Sequence, residues 1–366
     1  MKISTTRDQL LKPLTYIGSV VERRQTLPIL ANAHLRLDGD TLTLTGTDLE
    51  VEVIAVARGV AGQAGETTVA ARKLLDICRA LPDGADLLLA EEGERATIQS
   101  GRSRFTLQTL PPGDFPRIET EAWDQELALP QGELKALLDR TAFSMAQQDV
   151  RYYLNGLLLE LTGRTLRAVA TDGHRLAKSE LNLAEPVAQN RQIIVPRKAV
   201  MELARLLSDS EEPIQILINP NHLRVAMGDF TFTSKLIDGR YPDYEKVIPA
   251  GTTVSLSLPH KDFHDTLSRA AILTNDKFRG VRLNIANGTL AATAHNPEQE
   301  EASDEMAVEY DGEELEIGFN VTYLMEAVNA LAGDVVEFSV KDQNSSCVLR
   351  RPGDQSTLYL VMPMRL

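Results

Sequence analysis

Thr41-Leu-Thr-Leu-Thr-Gly-Thr-Asp48, Thr165-Leu-Arg-Ala-Val-Ala-Thr-Asp172 and Thr289-Leu-Ala-Ala-Thr-Ala-His-Asn296 are one pattern written three times. Each alternates apolar and polar residues, as a half-buried strand does, and runs into a turn-forming Asp or Asn. Their first residues lie 124 apart in both intervals. A period this long exceeds that of a solenoid repeat, so each copy is expected to be a domain with its own core.

Two further families hold nearly the same spacing. Val69-Ala-Ala-Arg-Lys matches Val195-Pro-Arg-Lys, with Arg72 and Arg197 offset by 125, and Gly318-Phe-Asn-Val-Thr-Tyr-Leu324 fills the third slot. Phe105-Thr-Leu-Gln-Thr-Leu matches Phe230-Thr-Phe-Thr-Ser-Lys, and each leads to an aromatic–proline turn, Asp114-Phe-Pro116 and Arg240-Tyr-Pro242. The third copy finishes in Leu358-Tyr-Leu-Val-Met-Pro363. The pattern lapses into polar, Gly and Pro residues near 119–124 and 249–253, which sets expected domains at 1–122, 123–250 and 251–366.

Within a copy, two stretches carry apolar residues at helical spacing. The first is Leu10, Leu14, Ile17 and Val21, then Leu134, Leu137, Leu138 and Ala142, then Phe263, Leu267, Ala270 and Ala271. The second is Leu74, Ile77, Cys78 and Leu81, then Leu203, Leu206 and Leu207, then Leu324, Ala327, Val328 and Leu331. The remainder reads as short alternating strands. The expected class is α+β: three repeated domains, each an antiparallel sheet with two helices.

The 366-residue chain has a formal net charge of −14, which by itself argues against nucleic acid. The charge is uneven. The six helical windows carry 15 Lys or Arg against 10 Asp or Glu, leaving −19 on the rest. A weakly basic helix surface on an acidic body can face phosphates without reading sequence.

No phosphate-binding glycine loop, dinucleotide fingerprint or nucleophile elbow is present. His260 and His264 have metal-ligand spacing, but Lys261 stands where a zinc protease has Glu, so a helix start is the expectation. Glu298-Gln-Glu-Glu301 reads as a solvated or interface charge cluster. Thr171-Asp-Gly-His-Arg175 is the most enzyme-like string, yet no nucleophile accompanies it. Cys78 and Cys347 read as free thiols of a cytosolic protein. The opening Met1–Leu14 has no secretory apolar core, and no apolar run nears the ~20 residues that span a bilayer.

Longer strings carry a resemblance. Leu44-Thr-Gly-Thr-Asp-Leu-Glu50, Gln148-Asp-Val-Arg-Tyr-Tyr-Leu-Asn-Gly156, Ala170-Thr-Asp-Gly-His-Arg-Leu176, Val195-Pro-Arg-Lys198, Phe278-Arg-Gly280, Asn296-Pro-Glu-Gln-Glu-Glu301 and Val361-Met-Pro-Met-Arg-Leu366 resemble the β sliding clamps of bacterial DNA polymerase III along the whole chain. The resemblance implies a non-catalytic processivity factor: a head-to-tail homodimeric ring around double-stranded DNA, needing no cofactor or metal. Its implied partners are the replicative polymerase's catalytic subunit, the clamp loader, and other polymerases and repair proteins bearing short clamp-binding peptides. Its implied place is the cytoplasm, at the nucleoid. A repeat-built scaffold that does not encircle DNA is the alternative.

Implied DNA contacts are Arg24, Arg72, Gln148, Tyr152 and Tyr153, with Arg197 and Lys198 nearby. If the two tyrosines lie on a strand, they point to opposite faces and one is free to pack. The implied peptide cleft uses Leu154, Thr171, Gly173, His174, Arg175, Leu176, Pro242, Val247, Phe278, Asn320, Tyr323, Val361, Met362, Pro363, Met364 and Arg365. Such a Met- and Leu-lined groove can repack around several peptides. Lys246, Leu360 and His295 depart from residues common in the family (Arg, Val and Asn). The implied ring interface pairs Ile272 and Leu273 of one chain with Phe105 and Leu107 of the other, rimmed by Lys73, Glu298 and Glu300.

Overall fold

The computed structural model describes residues 1–21 and 27–365. One order of elements recurs three times: strand, helix, four strands, helix, three strands. The first series is β1 (Lys2–Thr6), α1 (Arg7–Val20), β2 (Asn32–Asp38), β3 (Thr41–Thr47), β4 (Val51–Arg58), a short extra β5 (Ala61–Gln63), β6 (Gly65–Ala70), α2 (Ala71–Ala80), β7 (Asp86–Glu92), β8 (Arg95–Ser100) and β9 (Ser103–Leu110). The second is β10 (Gln125–Pro130), α3 (Gln131–Asp139), β11 (Gly156–Thr162), β12 (Thr165–Thr171), β13 (Arg175–Asn182), β14 (Arg191–Pro196), α4 (Arg197–Leu206), β15 (Pro213–Ile218), β16 (His222–Met227) and β17 (Phe230–Lys235). The third is β18 (Val254–Pro259), α5 (His260–Ala271), β19 (Gly280–Ala286), β20 (Thr289–His295), β21 (Glu301–Ala307), β22 (Leu315–Asn320), α6 (Val321–Ala330), β23 (Val335–Val340), β24 (Cys347–Arg350) and β25 (Thr357–Val361).

The three quoted stretches are β3, β12 and β20, each running into a turn. The equivalence extends to single hydrogen bonds. A helix leaves its first amide groups without partners. Here the first N–H of each leading helix finds the carbonyl just before the strand that follows the second helix. Arg7 donates to Ala85 (2.8 Å), Gln131 to Glu212 (2.9 Å) and His260 to Asp334 (2.8 Å). α1 also has a capping box between Thr6 and Gln9.

The chain divides into two compact units, Met1–Leu134 with Lys198–Leu236, and Lys135–Arg197 with Ile237–Leu366. This division shares the second repeat between them.

In the first unit, thirteen antiparallel strands form one sheet, ordered β10-β15-β16-β17-β4-β3-β2-β6-β9-β8-β7-β1-β5. The first and second repeats join in it through β4 and β17, registered from Val51↔Ser234 to Ala55↔Phe230. α1 lays Leu10, Leu14 and Ile17 onto this sheet, all at 0–1% exposure. The approach is close. A Cβ on Gly46 would lie 2.3 Å from Ile17 Cγ2, which explains the glycine in β3 where β12 and β20 carry Ala170 and Ala294.

In the second unit, an eight-stranded sheet runs β14-β11-β12-β13-β25-β24-β23-β18, and a four-stranded one β21-β20-β19-β22. β13 joins the second repeat to the third by pairing with β25. α5 and α6 bury Phe263, Leu267 and Leu324 among Val281, Phe319 and Phe338. The Phe338 ring meets Phe263 and Phe319 edge-on at 6.1 and 6.2 Å, a favoured aromatic geometry. His260 is a tie in this core: its Nε2 donates to the Val328 carbonyl at 2.8 Å. Both cysteines are buried free thiols, and burial raises Cys78 to about 11.

Candidate functional site

The Thr171–Arg175 turn is held by a dense set of hydrogen bonds. Thr171 Oγ1 donates to the Arg175 carbonyl (2.6 Å) and accepts from Gly173 N–H (3.1 Å). Asp172 Oδ1 accepts from His174 N–H (2.9 Å) and Arg175 N–H (3.1 Å). Gly173 sits at φ 88°, the left-handed region that glycine enters without strain. Thr171 N–H donates to the Tyr241 hydroxyl (3.1 Å), and that phenol is buried, which pushes its pKa up.

Arg175 is the hub. Its Nε donates to Asp172 (3.0 Å), Nη1 to Glu326 and Nη2 to the Phe143 carbonyl (2.7 Å). Its guanidinium lies 4.3 Å from the Tyr323 ring centroid and 5.5 Å from that of Phe143. Three hydrogen bonds and two ring contacts leave this planar cation one orientation, where a lysine would have many. The C-terminal segment is laced to this turn and to β22. Met362 N–H donates to the His174 carbonyl (2.9 Å) and Met364 N–H to Gly318 (2.8 Å).

Beneath lies an apolar floor of Leu154, Leu176 and Leu360, packed with Leu158, Val169, Ile194, Tyr241, Tyr244 and Val348. Leu360 is 3% exposed, so it shapes the groove from below. Above the floor, Val247 (42%), Phe278 (55%) and Met362 (37%) stay exposed. Exposed apolar side chains over a rigid polar frame are what a peptide groove offers. Pro242 is also exposed, beside Tyr241, and Lys246 pairs with Asp243 at 2.9 Å. Asn320 caps α6 and donates from Nδ2 to the Phe278 carbonyl (3.3 Å). Val361 is 1% exposed, so it contributes a wall from within the core rather than a contact surface. Sequence reasoning missed Phe143, Tyr241, Tyr244 and Glu326. Only Tyr241 left a signal, as half of the paired aromatic–proline turns.

The candidate DNA contacts are more scattered. Arg24 lies outside the described residues. Arg72 donates from Nε and Nη2 to the Val21 carbonyl (3.0 and 2.9 Å), and Arg197 from Nη1 to the Met145 carbonyl (3.0 Å). Those carbonyls are again 124 residues apart. Each arginine therefore holds a carbonyl that follows the leading helix of its repeat. Lys198 is 2.6 Å from Asp48. Tyr152 and Tyr153 are not on a strand. They open a 3-10 turn, Tyr152–Leu154, with rings meeting edge-on at 5.7 Å and Tyr152 56% exposed. The cause is the loop before them. Asn155 accepts from Asp149 N–H (2.9 Å) and donates to its carbonyl (2.8 Å), which curls the chain. The Arg151 guanidinium binds Asp149 and holds that carboxyl down to about 2. Gln148 is exposed with φ 57°.

Of the interface candidates, Phe105 and Leu107 share one face of β9, both half-buried. Ile272 (74% exposed) and Leu273 follow directly on α5. Lys73 is exposed on α2, and Glu298 and Glu300 on the turn after β20.

Among the described residues no cluster of three metal-ligating side chains occurs, and no helix is long and apolar enough to cross a membrane.

Comparison with known proteins gives one answer. Residues 1–119, 128–243 and 245–365 match the N-terminal, central and C-terminal domain models of the DNA polymerase III beta subunit. The chain is 48% identical to the beta sliding clamps of Pseudomonas aeruginosa and of Escherichia coli K12, over the full length of each. The crystal structure of the P. aeruginosa subunit superposes with a TM-score of 0.97 at 48% identity, and that of Caulobacter crescentus with 0.95 at 39%, each covering both chains completely. The P. aeruginosa clamp has also been solved bound to griselimycin. The chain belongs to the β sliding clamp family, the non-catalytic β subunits of bacterial DNA polymerase III.

Proposed function

We propose that two copies of this chain close head to tail into a ring around duplex DNA and tether the replicative polymerase to it. The observation that carries this is the pattern of seams. β4 pairs with β17 and β13 with β25, each joining one repeat to the next. The third member of that series, β21, is the outer strand of its sheet, and Ser103–Gln108 of β9 pair only with β8 among the described residues. A third seam of the same kind needs β21 of one copy against β9 of another. A head-to-tail contact of this kind closes when the rotation permits. Charge favours unlike edges: β21 reads Glu-Ala-Ser-Asp-Glu, while Arg102 and Arg104 flank the start of β9. Phe105 and Leu107 with Ile272 and Leu273 would form the apolar centre, and Lys73 with Glu298 and Glu300 the rim.

The domains would be 1–122, 123–250 and 251–366. DNA would meet Arg24, Arg72, Gln148, Tyr152, Tyr153, Arg197 and Lys198 weakly, since several of these cations already have protein partners. Lys12 and Arg79, which form no ion pair among the described residues, join this set. Weak phosphate binding suits a protein that stays on by topology and must slide. The cleft around Arg175 would take short peptides of the polymerase, the clamp loader and repair proteins, in the cytoplasm.

The test is topological. Protein placed on a nicked circular plasmid by a bacterial clamp loader should leave when the plasmid is cut once. Retention on free-ended DNA would overturn the reading. Leu273→Asp should sediment as a monomer, because it buries an unpaired charge.

A further inference from the structure

The three repeats share a position on the strand pairs β2–β3, β11–β12 and β19–β20, and it is filled in two of them. It is marked by the cross-strand pairs His34↔Thr45, Leu158↔Val169 and Arg282↔Thr293, which are equivalent by register. In the first repeat, the segment after β9 folds back and sets Phe115 there, its ring 5.4 Å from His34 and 7% exposed. Arg117 follows, 3.3 Å from His34 Nδ1. In the second, the segment after β17 sets Tyr241 against Leu158 and Val169, 6% exposed. Each ring is followed by proline. In the third, the described residues after β25 bring no ring. The position is an open cavity of about 390 Å³, lined by Phe278, Arg282, Thr293, His295, Met364 and Arg365 among others.

We infer that this cavity is a seat for an aromatic side chain of a partner peptide, one carrying an acidic residue beside the ring. The fold has solved the same recognition twice with its own segments, so the shape suits a ring entering on extended, proline-containing backbone. The charge differs in a way that selects the partner. Where the first repeat has His34 and the second Leu158, the third has Arg282, and His295 and Arg365 also line the cavity. Arg282 is 3.5 Å from Glu316 and 41% exposed, so it retains capacity for a second carboxylate. The seat is continuous with the cleft through Phe278 and Met364, so a peptide lying in the cleft can extend into it. It rests on the cleft reading for the partner being a protein. His295, exposed at the end of β20, then belongs to this seat through its side chain.

The probe is a synthetic heptapeptide based on Pro112–Ile118 of this chain, which contains Asp-Phe-Pro, with photoreactive benzoylphenylalanine replacing its Phe and Arg117→Glu, since Arg117 lies against His34 in the first repeat and would meet Arg282 in the third. Irradiated with the full chain, it should attach within residues 275–295 or at Met364–Arg365. An unlabelled peptide with Phe should compete at least about tenfold better than one with Ala, as expected for burying a ring. Thr293→Tyr, which fills the seat, should abolish attachment with an unchanged melting curve. Should that variant misfold, Arg282→Glu should weaken attachment while leaving the apolar lining intact. Attachment elsewhere, no attachment at millimolar peptide, or equal competition by the Ala peptide would overturn the inference. No DNA is involved, so release from linear DNA can fail while the seat stands, and the reverse.

Discussion

Thr47–Val51 and Thr171–Arg175 are the same turn in two repeats, and only one belongs to the candidate cleft. In the first, Thr47 Oγ1 donates to the Val51 carbonyl (2.8 Å) and accepts from Leu49 N–H (3.0 Å), while Asp48 Oδ1 accepts from Glu50 and Val51 (2.9 and 2.7 Å). The second repeats every one of these bonds. The difference lies in the free oxygen of the aspartate. Asp48 spends it on Lys198 (2.6 Å), a structural tie, whereas Asp172 spends it on Arg175 (3.0 Å), the hub of the groove. The scaffold is the same in both turns, and what differs is the side chain at its last position, Val51 against Arg175.

Removing that side chain should have the largest effect. Arg175→Ala strips partners from Asp172 and Glu326 and leaves the Phe143 carbonyl unserved. Its side chain is 11% exposed, so the loss should be about 3–5 kcal/mol in denaturant unfolding, with loss of polymerase-peptide binding. Survival of peptide binding would show that the two turns are functionally alike. Next, Gly173→Leu installs the residue of the first repeat. Its Cβ would lie 2.9 Å from Arg151 Nη2 at φ 88°, so roughly 1–2 kcal/mol is expected, along with a weakened peptide.

Smaller effects sharpen the contrast on the other side. His34 takes the place that apolar Leu158 fills in the second repeat. Burial and then Arg117 lower its pKa, against the opposing pull of Glu66. The folded protein therefore resists protonating it. Its contribution is present above the ordinary histidine value near about 6.5 and is lost as pH falls through that value toward the lowered one. The slope should be at most about 1.4 kcal/mol per pH unit, and His34→Leu should remove it from melting curves across this window. The smallest effect belongs to Leu49→Gly. Leu49 holds φ 79°, and relief of that strain is offset by a freer unfolded chain, so a shift within about 1 kcal/mol is expected.

The parts of the molecule legible in sequence were those written in period. The spacing of Asp48, Asp172 and Asn296 located three turns, and alternation located the strands before them. What stayed hidden depended on backbone partners. Nothing in Arg72 or Arg197 as letters says that each is tied to a carbonyl. Tyr152 and Tyr153 look like a strand pair until Asn155 is seen to close the loop on Asp149. The Arg175 hub was half legible: the string was singled out, but Glu326 and Phe143 lie far along the chain and carry no local pattern.

The lacing of the last described residues has a consequence in time. Met362 and Met364 each give their amide to a carbonyl, and Pro363 between them has none. The segment therefore reports its own opening through two protons. In deuterated water these two should exchange together, at the rate at which the strap lifts from His174 and Gly318. A ligand that needs the strap in place should slow both equally, making them a clock for occupancy of the groove.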